Sequence, residues 1–234
     1  MVDLGSAEAL IARHREAFEE YRRRLVAWNE QVNLTSITDE EEVFIKHFVD
    51  SVAVVALREW RGLSDGAVIL DVGTGAGFPG LPLAICHPRL RFVLVDALQK
   101  RVRFLQEMVE ALRLNHVLVM HGRAEDLVRA DGMRAGFDAC VSRAVASLPV
   151  LLELTMPFVR PGGFTLAWKG PGVYDELDAG SRAAGILGGR IQRVDAYDLP
   201  GGAGGRTLVV VEQRRPAPER YPRKAGVPQR KPLA

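Results

Sequence analysis

Val68-Ile69-Leu70-Asp71-Val72-Gly73-Thr74-Gly75-Ala76-Gly77-Phe78-Pro79-Gly80 is the stretch whose reading decides the fold. Four apolar residues around one acid make a short buried strand. Three glycines at period two make a tight turn, and Pro79 sits where a helix would take its first turn. Alternating glycines permit positive φ and let a ligand lie against bare backbone. In an open α/β sheet, the crevice beyond the carboxyl end of such a strand is where a nucleotide-like ligand binds.

Downstream, short β-rich runs alternate with helical ones. Strands are expected at 67–72, 91–95, 116–120, 137–141, 164–168, 191–197 and 206–212. The clearest helix is 98–114, with Val102, Leu105, Val109 and Leu112 on one face. This alternation predicts a doubly wound α/β sheet, mostly parallel and Rossmann-like, with helices on both faces. The Gly-rich link 200–205 is too short for a parallel crossover, so the last strand should run antiparallel. Upstream, Ile11, His14, Phe18, Tyr21, Leu25, Trp28 and Val32 share a helical face, with Ser6 as N-cap and 33–36 as the stop. Thr38 and Glu41 suggest a capping box for a second helix reaching about residue 59. The expected organisation is one domain over 1–213, made of an N-terminal helical extension (1–62) and a core (63–213). A basic, Pro-rich tail (214–234) follows, expected to be extended.

Composition narrows the class. Of 234 residues, 47% are hydrophobic and 26% charged, as in an ordinary globular protein. No apolar run approaches the roughly 20 residues a bilayer requires. The opening residues, with Asp3 and a charge-rich helical pattern, resemble neither a signal nor a transit peptide. Cys86 and Cys140 fit no disulfide framework and no metal-ligand spacing, so a reduced, cytoplasmic protein without a metal is expected. The net charge of +2 is uneven: seven of the 31 basic residues but one of the 29 acids lie in 214–234. Such a tail meets a polyanion, or is a disordered solubilising end, or, through Tyr221 and Leu233, packs on the body.

The loop discriminates between cofactors. A dinucleotide fingerprint needs its third glycine at position 78, which is Phe78; here the third glycine is Gly77. None of Tyr21, Tyr174, Tyr197 and Tyr221 has a lysine four residues on, so the usual dehydrogenase pair is missing. The loop instead resembles the acid-x-Gly-x-Gly-x-Gly motif of class I S-adenosylmethionine-dependent methyltransferases. Asp96, closing the second strand, suits the ribose diol of either cofactor. After the fourth strand comes Ser142-Arg143-Ala144-Val145-Ala146, not the Asn/Asp-Pro-Pro-aromatic turn of exocyclic-amine methylation, and neither cysteine follows a proline as a pyrimidine-carbon nucleophile does.

The ordered set Asn33-Leu34-Thr35, His47-Phe48-Val49-Asp50-Ser51, the glycine loop, Asp96 with Lys100-Arg101, Arg123-Ala124-Glu125, Ser142 to Ala146, Lys169-Gly170, and Tyr221-Pro222-Arg223 with Gly226-Val227-Pro228 resembles the bacterial small-subunit ribosomal RNA methyltransferase G family (glucose-inhibited division protein B). The resemblance implies methyl transfer from S-adenosylmethionine to guanine N7 in the 530-loop of 16S ribosomal RNA, leaving S-adenosylhomocysteine. N7 has an in-plane lone pair and no proton, so direct in-line transfer needs no covalent intermediate and no catalytic base.

By the same resemblance Gly73 and Phe78 line the cofactor and Gly75 and Gly77 shape the loop. Asp96 takes the ribose, Ala124 and Glu125 the adenine, and Arg143 sits beside the methyl donor. RNA would meet His47, Lys100, Arg101, Arg123 and Lys169, and Arg223, Lys224, Arg230 and Lys231 of the tail. Plainer roles stay open: a core-packed His47, a helix-start acid at Glu125, an Arg143–Glu153 ion pair. The implied partner is 16S RNA or the 30S subunit, met by a monomer with no membrane or metal involved. The rivals are a methyltransferase acting on a small molecule or a protein, and a non-catalytic RNA-binding module.

Overall fold

The computed structural model describes residues 2–143 and 146–233; Ala144 and Val145, in the stretch after the fourth strand, lie outside the described residues, as does Ala234 of the tail. The N-terminal face opens with α1 (Leu4–Arg13) and α2 (Arg15–Val32), separated at His14. Asp3, not Ser6, caps α1: its carboxylate accepts from the Ser6 N–H and hydroxyl. Asn33, at φ 48°, ends α2 in the left-handed region. The cap of the next helix falls on Asp39 rather than Thr38, with Asp39 accepting from the Glu42 N–H at 2.9 Å. The expected second helix is a chain of short pieces: α3 (Glu40–Val43), a π-helical segment Phe44–Val49, α4 (Asp50–Val52), a 3-10 turn Ala53–Ala56, and α5 (Arg58–Arg61) after an extended Leu57.

The core is β1 (Val68–Val72), α6 (Gly80–Cys86), β2 (Arg91–Asp96), α7 (Gln99–Ala111), β3 (Val117–His121), α8 (Ala124–Leu127), β4 (Phe137–Arg143), α9 (Leu148–Thr155), β5 (Val159–Lys169), α10 (Leu177–Ile186), β6 (Gly189–Asp198) and β7 (Gly205–Gln213). The strands form one sheet in the order β3-β2-β1-β4-β5-β7-β6. The first five pair in parallel, and β7 lies antiparallel between β5 and β6. The chain winds outward from β1 in one direction and from β4 in the other, so a topological switch point opens at their carboxyl ends, beside the glycine loop.

Strand alternation sorts the core onto two faces. Ile69, Phe92, Leu94, Val141, Leu166 and Val210 face the N-terminal helices, with Phe18, Tyr21, Phe48 and Leu81 in the same cluster. On the other face, Leu70, Val72, Val95 and Cys140 pack with Leu154 and Phe158, and Ala167, Val209 and Val211 pack with α9 and α10. Burying each such large side chain contributes about 1.5–3 kcal/mol. Cys86 and Cys140 are free and buried, and burial pushes both thiols up, Cys86 to about 12.

The tail is a strap, not an extended arm. It crosses the second face, buries Ala217, Tyr221 and Leu233, and forms one short helix, α11 (Val227–Arg230). Tyr221 and Leu233 join the cluster built by Leu148, Leu151 and Leu152 of α9.

Candidate functional site

The glycines of the loop serve different ends. Gly73, Gly75 and Gly77 have φ of 70°, 63° and 99°, which only glycine adopts without strain. A Cβ on Gly77 would lie 2.5 Å from both Leu81 Cδ1 and the Tyr21 hydroxyl, and one on Gly80 would lie 2.3 Å from Leu94 Cδ2. A Cβ on Gly75 would meet nothing within 4 Å. Gly77 and Gly80 are therefore packing glycines, whereas Gly75 borders open space. The loop is tied from below: Gly73 and Thr74 donate to the Val95 carbonyl, and Tyr21 of α2 donates its hydroxyl to the Ala76 carbonyl at 2.5 Å.

Two acids flank the loop. Asp71 is fully buried; its Oδ2 accepts from the Thr74 hydroxyl at 2.7 Å and the Gly80 N–H at 2.8 Å, while its Oδ1 has no partner among the described residues. Burial pushes this carboxyl up to about 7 against the pull of those two bonds. Asp96 accepts from the Gly75 N–H at 2.9 Å and the Leu98 N–H at 2.8 Å, with Arg101 at 3.5 Å. It is 3% exposed, so it braces the loop whatever else it binds. Ala124 and Glu125 open α8 and are both buried. The Glu125 carboxylate accepts from the Gly226 N–H of the strap at 3.4 Å.

Phe78 joins the loop to a second compartment. Its ring stacks on His47 at 4.4 Å and on Tyr21 at 5.4 Å, and the Arg143 guanidinium lies 4.9 Å from its centroid. Arg143 donates to Asp50 Oδ2 at 3.0 Å, to the Lys46 carbonyl at 3.0 Å, and from Nη2 to His47 Nδ1 at 3.2 Å. A guanidinium only donates, so Nδ1 accepts, and Nε2 carries the proton toward the Thr35 hydroxyl at 2.9 Å. Burial, with Arg143 next, pushes His47 down to about 3, so the ring is neutral. Asp50, 1% exposed, also accepts from the Tyr197 hydroxyl at 2.7 Å, and its carbonyl accepts from Trp168 Nε1 at 2.8 Å. Arg143 is thereby bound to Asp50, while Glu153 takes Arg223 instead.

Of these groups His47, Asp50, Arg143 and Trp168 line a cavity of about 370 Å³, with the cations Lys46, Arg143, Lys169 and Arg206 set against the single carboxylate of Asp50. Lys169 also pairs with Glu176 at 2.9 Å and donates to the Ala146 carbonyl. A cavity of this lining suits an anionic ligand with a flat polar ring. A groove of about 520 Å³ between α1, α2 and α3 is lined by the apolar Ile11, Phe18, Phe44 and Phe48 and by charged residues, among which Arg15 pairs with Glu19 and Arg22 with Glu40.

The remaining positions expected to meet RNA are scattered. Lys100 donates to the Val32 carbonyl, Arg101 lies against Asp96, and Arg123 is exposed just before α8. In the strap, Arg223 is engaged by Glu153, which is fully buried, whereas Lys224, Arg230 and Lys231 are exposed. Thr35, Asp50, Trp168, Tyr197 and Arg206 complete the Arg143 compartment and were not singled out as site residues by the sequence. Asn33-Leu34-Thr35 and His47 to Ser51 did carry the signal for two of them, as motifs without an assigned role. Among the described residues, no group of three or more His, Cys, Asp or Glu is placed to hold a metal ion, and no helix is long and apolar enough to cross a membrane.

With this geometry in view, the comparisons are specific. The sequence model of the GidB family, described as rRNA small subunit methyltransferase G, matches residues 14–200. The ribosomal RNA small subunit methyltransferase G of Deinococcus radiodurans is 47% identical over 229 residues, covering 95% of this chain and 87% of that one. That of Geobacillus kaustophilus is 44% identical over 216 residues, covering 92% and 90%. Among solved structures, a SAM-dependent methyltransferase from Aquifex aeolicus superposes with a TM-score of 0.53 at 19% identity, covering 74% of this chain and 93% of that one. The fold is that of the class I methyltransferases.

Proposed function

The chain belongs to the GidB family of rRNA small subunit methyltransferases G, and on that premise we propose that its two compartments bring S-adenosylmethionine and guanine N7 of the 16S RNA 530-loop together at Phe78. The observation that carries the reading is the division of labour in the loop: Gly75 leaves bare backbone over open space, while its neighbours Gly77 and Gly80 are filled by the protein itself. A cradle of that kind fits a nucleoside lying on the backbone. The unpartnered Asp71 Oδ1 supports it, since a buried acceptor without a donor is costly and a cationic cofactor supplies donors.

When bound, S-adenosylmethionine supplies an electrophilic methyl group on a sulfonium. The chain's own part is positioning. Gly73, Gly75, Gly77 and Phe78 form the floor, Asp96 faces the ribose, Ala124 and Glu125 the adenine, and Arg143 stands at the junction with the acceptor pocket. Guanine N7 needs no base, and a neutral His47 beside Arg143 agrees with that requirement. The excess of cations in the Arg143 cavity favours a nucleotide carrying its phosphate. In this reading the enzyme works as a monomer in the cytoplasm on 16S RNA or the 30S subunit.

Mass mapping of 16S RNA nucleosides from cells lacking this protein tests the reading. The 530-loop should lose one methyl group, regain it when the wild-type gene is restored, and fail to regain it with Gly75→Val. Full methylation in the deleted strain would refute the assigned substrate.

A further inference from the structure

The strap closes over α8 and α9, the helices that come after β3 and β4 in the chain. Gly226, at φ 79°, donates its N–H to Glu125 Oε1, the one hydrogen bond that this carboxylate accepts among the described residues. Arg129, one turn further along, donates to the Glu125 carbonyl with Nη1 and to the Pro222 carbonyl with Nη2. On α9, the fully buried Glu153 receives the Arg223 N–H at 2.8 Å and its guanidinium through both oxygens. Tyr221 and Leu233 seal the strap into the core. Glu125 and Arg223 are 98 residues apart in sequence, yet the strap ties α8, which carries Glu125, to α9, which carries Glu153.

We infer that residues 217–233 are a positioning element of the cofactor site: the strap, through Gly226 and Arg129, fixes the Glu125 carboxylate where it meets the adenine. The inference rests on the adenine reading of Ala124 and Glu125 given above. A hydrogen bond from backbone to one carboxylate oxygen leaves the other to a ligand donor and sets its direction. Arg129 holds the main chain of Glu125 and the strap in one frame, which keeps the Gly226 N–H aimed at the carboxylate, so the carboxylate rotates away only by breaking that bond. The basic residues left exposed, Lys224, Arg230 and Lys231, then stand on a fixed surface beside the crevice rather than on a loose arm.

The test compares two ligands, S-adenosylhomocysteine and the analogue whose base is unsubstituted purine, by calorimetry on the full chain. Wild type should prefer the adenine ligand at least tenfold, and Glu125→Gln should lose that preference. Arg129→Met, a change at an exposed side chain, should cut the preference at least fivefold with a melting temperature close to wild type and an unchanged salt slope of RNA binding. A chain ending at Arg220 should lose the preference to the same extent if it folds, and Arg129→Met decides the matter if it does not. If wild type and Glu125→Gln behave as stated but both strap variants keep the full preference, the positioning inference fails and the adenine reading stands. No preference in wild type would instead remove the adenine reading, and the inference with it. Full preference with a flattened salt slope in Arg129→Met would make the strap an RNA contact.

Discussion

Between Asp71 and Gly80, ten consecutive residues build the floor of the crevice with backbone; across Phe78, the Arg143 pocket draws Thr35, His47, Asp50, Arg143, Tyr197 and Arg206 from places spread over 172 positions of the chain. The first depends on φ angles that only certain residues permit, a local property. The second depends on which side chains the sheet order brings together, a global one. The two therefore respond differently to mutation: the crevice to added volume, the pocket to the removal of a charge.

The largest expected effect separates glycines inside the crevice. Gly75→Val places a branched side chain where no protein atom lies within 4 Å, so folding loses the strain of a positive φ, about 1–2 kcal/mol, while cofactor affinity should fall more than 100-fold. Gly77→Ala adds a smaller group but collides with Tyr21 and Leu81, so stability should drop by about 3 kcal/mol or more through overpacking on top of strain. Calorimetric binding and thermal melting on both proteins check this. If Gly75→Val binds like wild type, or Gly77→Ala melts like it, the division of labour collapses.

The pocket's counterpart is Asp50→Asn. It keeps the shape and removes the carboxylate that accepts from Arg143 and Tyr197, leaving a guanidinium in a site where it is 14% exposed without a counter-charge. Breaking a buried pair from one side costs about 3–5 kcal/mol, equivalent to roughly 10 °C of melting temperature at this size. Turnover should fall at least tenfold, with cofactor affinity changed by less than threefold, because the crevice does not use Asp50. Single-turnover rates beside cofactor binding decide it; an affinity loss equal to the rate loss would merge the two compartments.

The contrast also explains what was legible in the sequence. The strand–glycine–helix unit, the seven strands and the antiparallel last strand are local patterns, and the structure has them. The N-caps moved to Asp3 and Asp39 because an Asp lay within three residues of Ser6 and one residue after Thr38, and carboxylates cap at least as well as hydroxyls. The second helix broke up because the π-helical turn at Phe44–Val49 departs from the 3.6-residue period of the single helix that the Thr38–Glu41 capping box suggested. The strap's packing is a tertiary fact: five prolines argue for an extended chain until Tyr221 and Leu233 find α9. Asp50 and Tyr197 could not be paired across 147 positions by any spacing rule.

Asp71 gives a subtler test of the crevice. Burial holds its carboxyl near 7, so about half the molecules carry a proton there at neutral pH. Because the folded value is raised above the unfolded 3.8, its contribution to stability is complete below pH 3.8 and is lost as pH rises through 7. A cationic ligand favours the ionised form. Binding of S-adenosylhomocysteine, whose ammonium is the cation, should therefore release up to about half a proton at pH 7. Titrations in buffers of different ionisation enthalpy measure it, and Asp71→Asn should abolish the release. Proton uptake would show that the ligand's cation does not favour the ionised form of this acid.

The smallest effect belongs to the pocket and concerns the neutral His47. Its folded value, about 3, lies below the unfolded 6.5, so between these values the unfolded chain binds the extra proton. The stabilisation is complete above pH 6.5 and is lost as pH falls toward 3. His87, pushed down to about 4 chiefly by burial, has the same sign. Between pH 6.5 and 5, above the ordinary carboxylate range, each histidine should cost about 1–2 kcal/mol of unfolding free energy. His47→Gln keeps an acceptor for Arg143 and removes that titration, so over this window the variant should lose about 1–2 kcal/mol less than wild type in urea melts, while the opposite-signed Asp71 contribution acts equally in both proteins. If the variant loses stability with pH as steeply as wild type, His47 is protonated in the fold. The neutral ring that accepts from Arg143, and with it the orientation assigned to that guanidinium, would then be wrong.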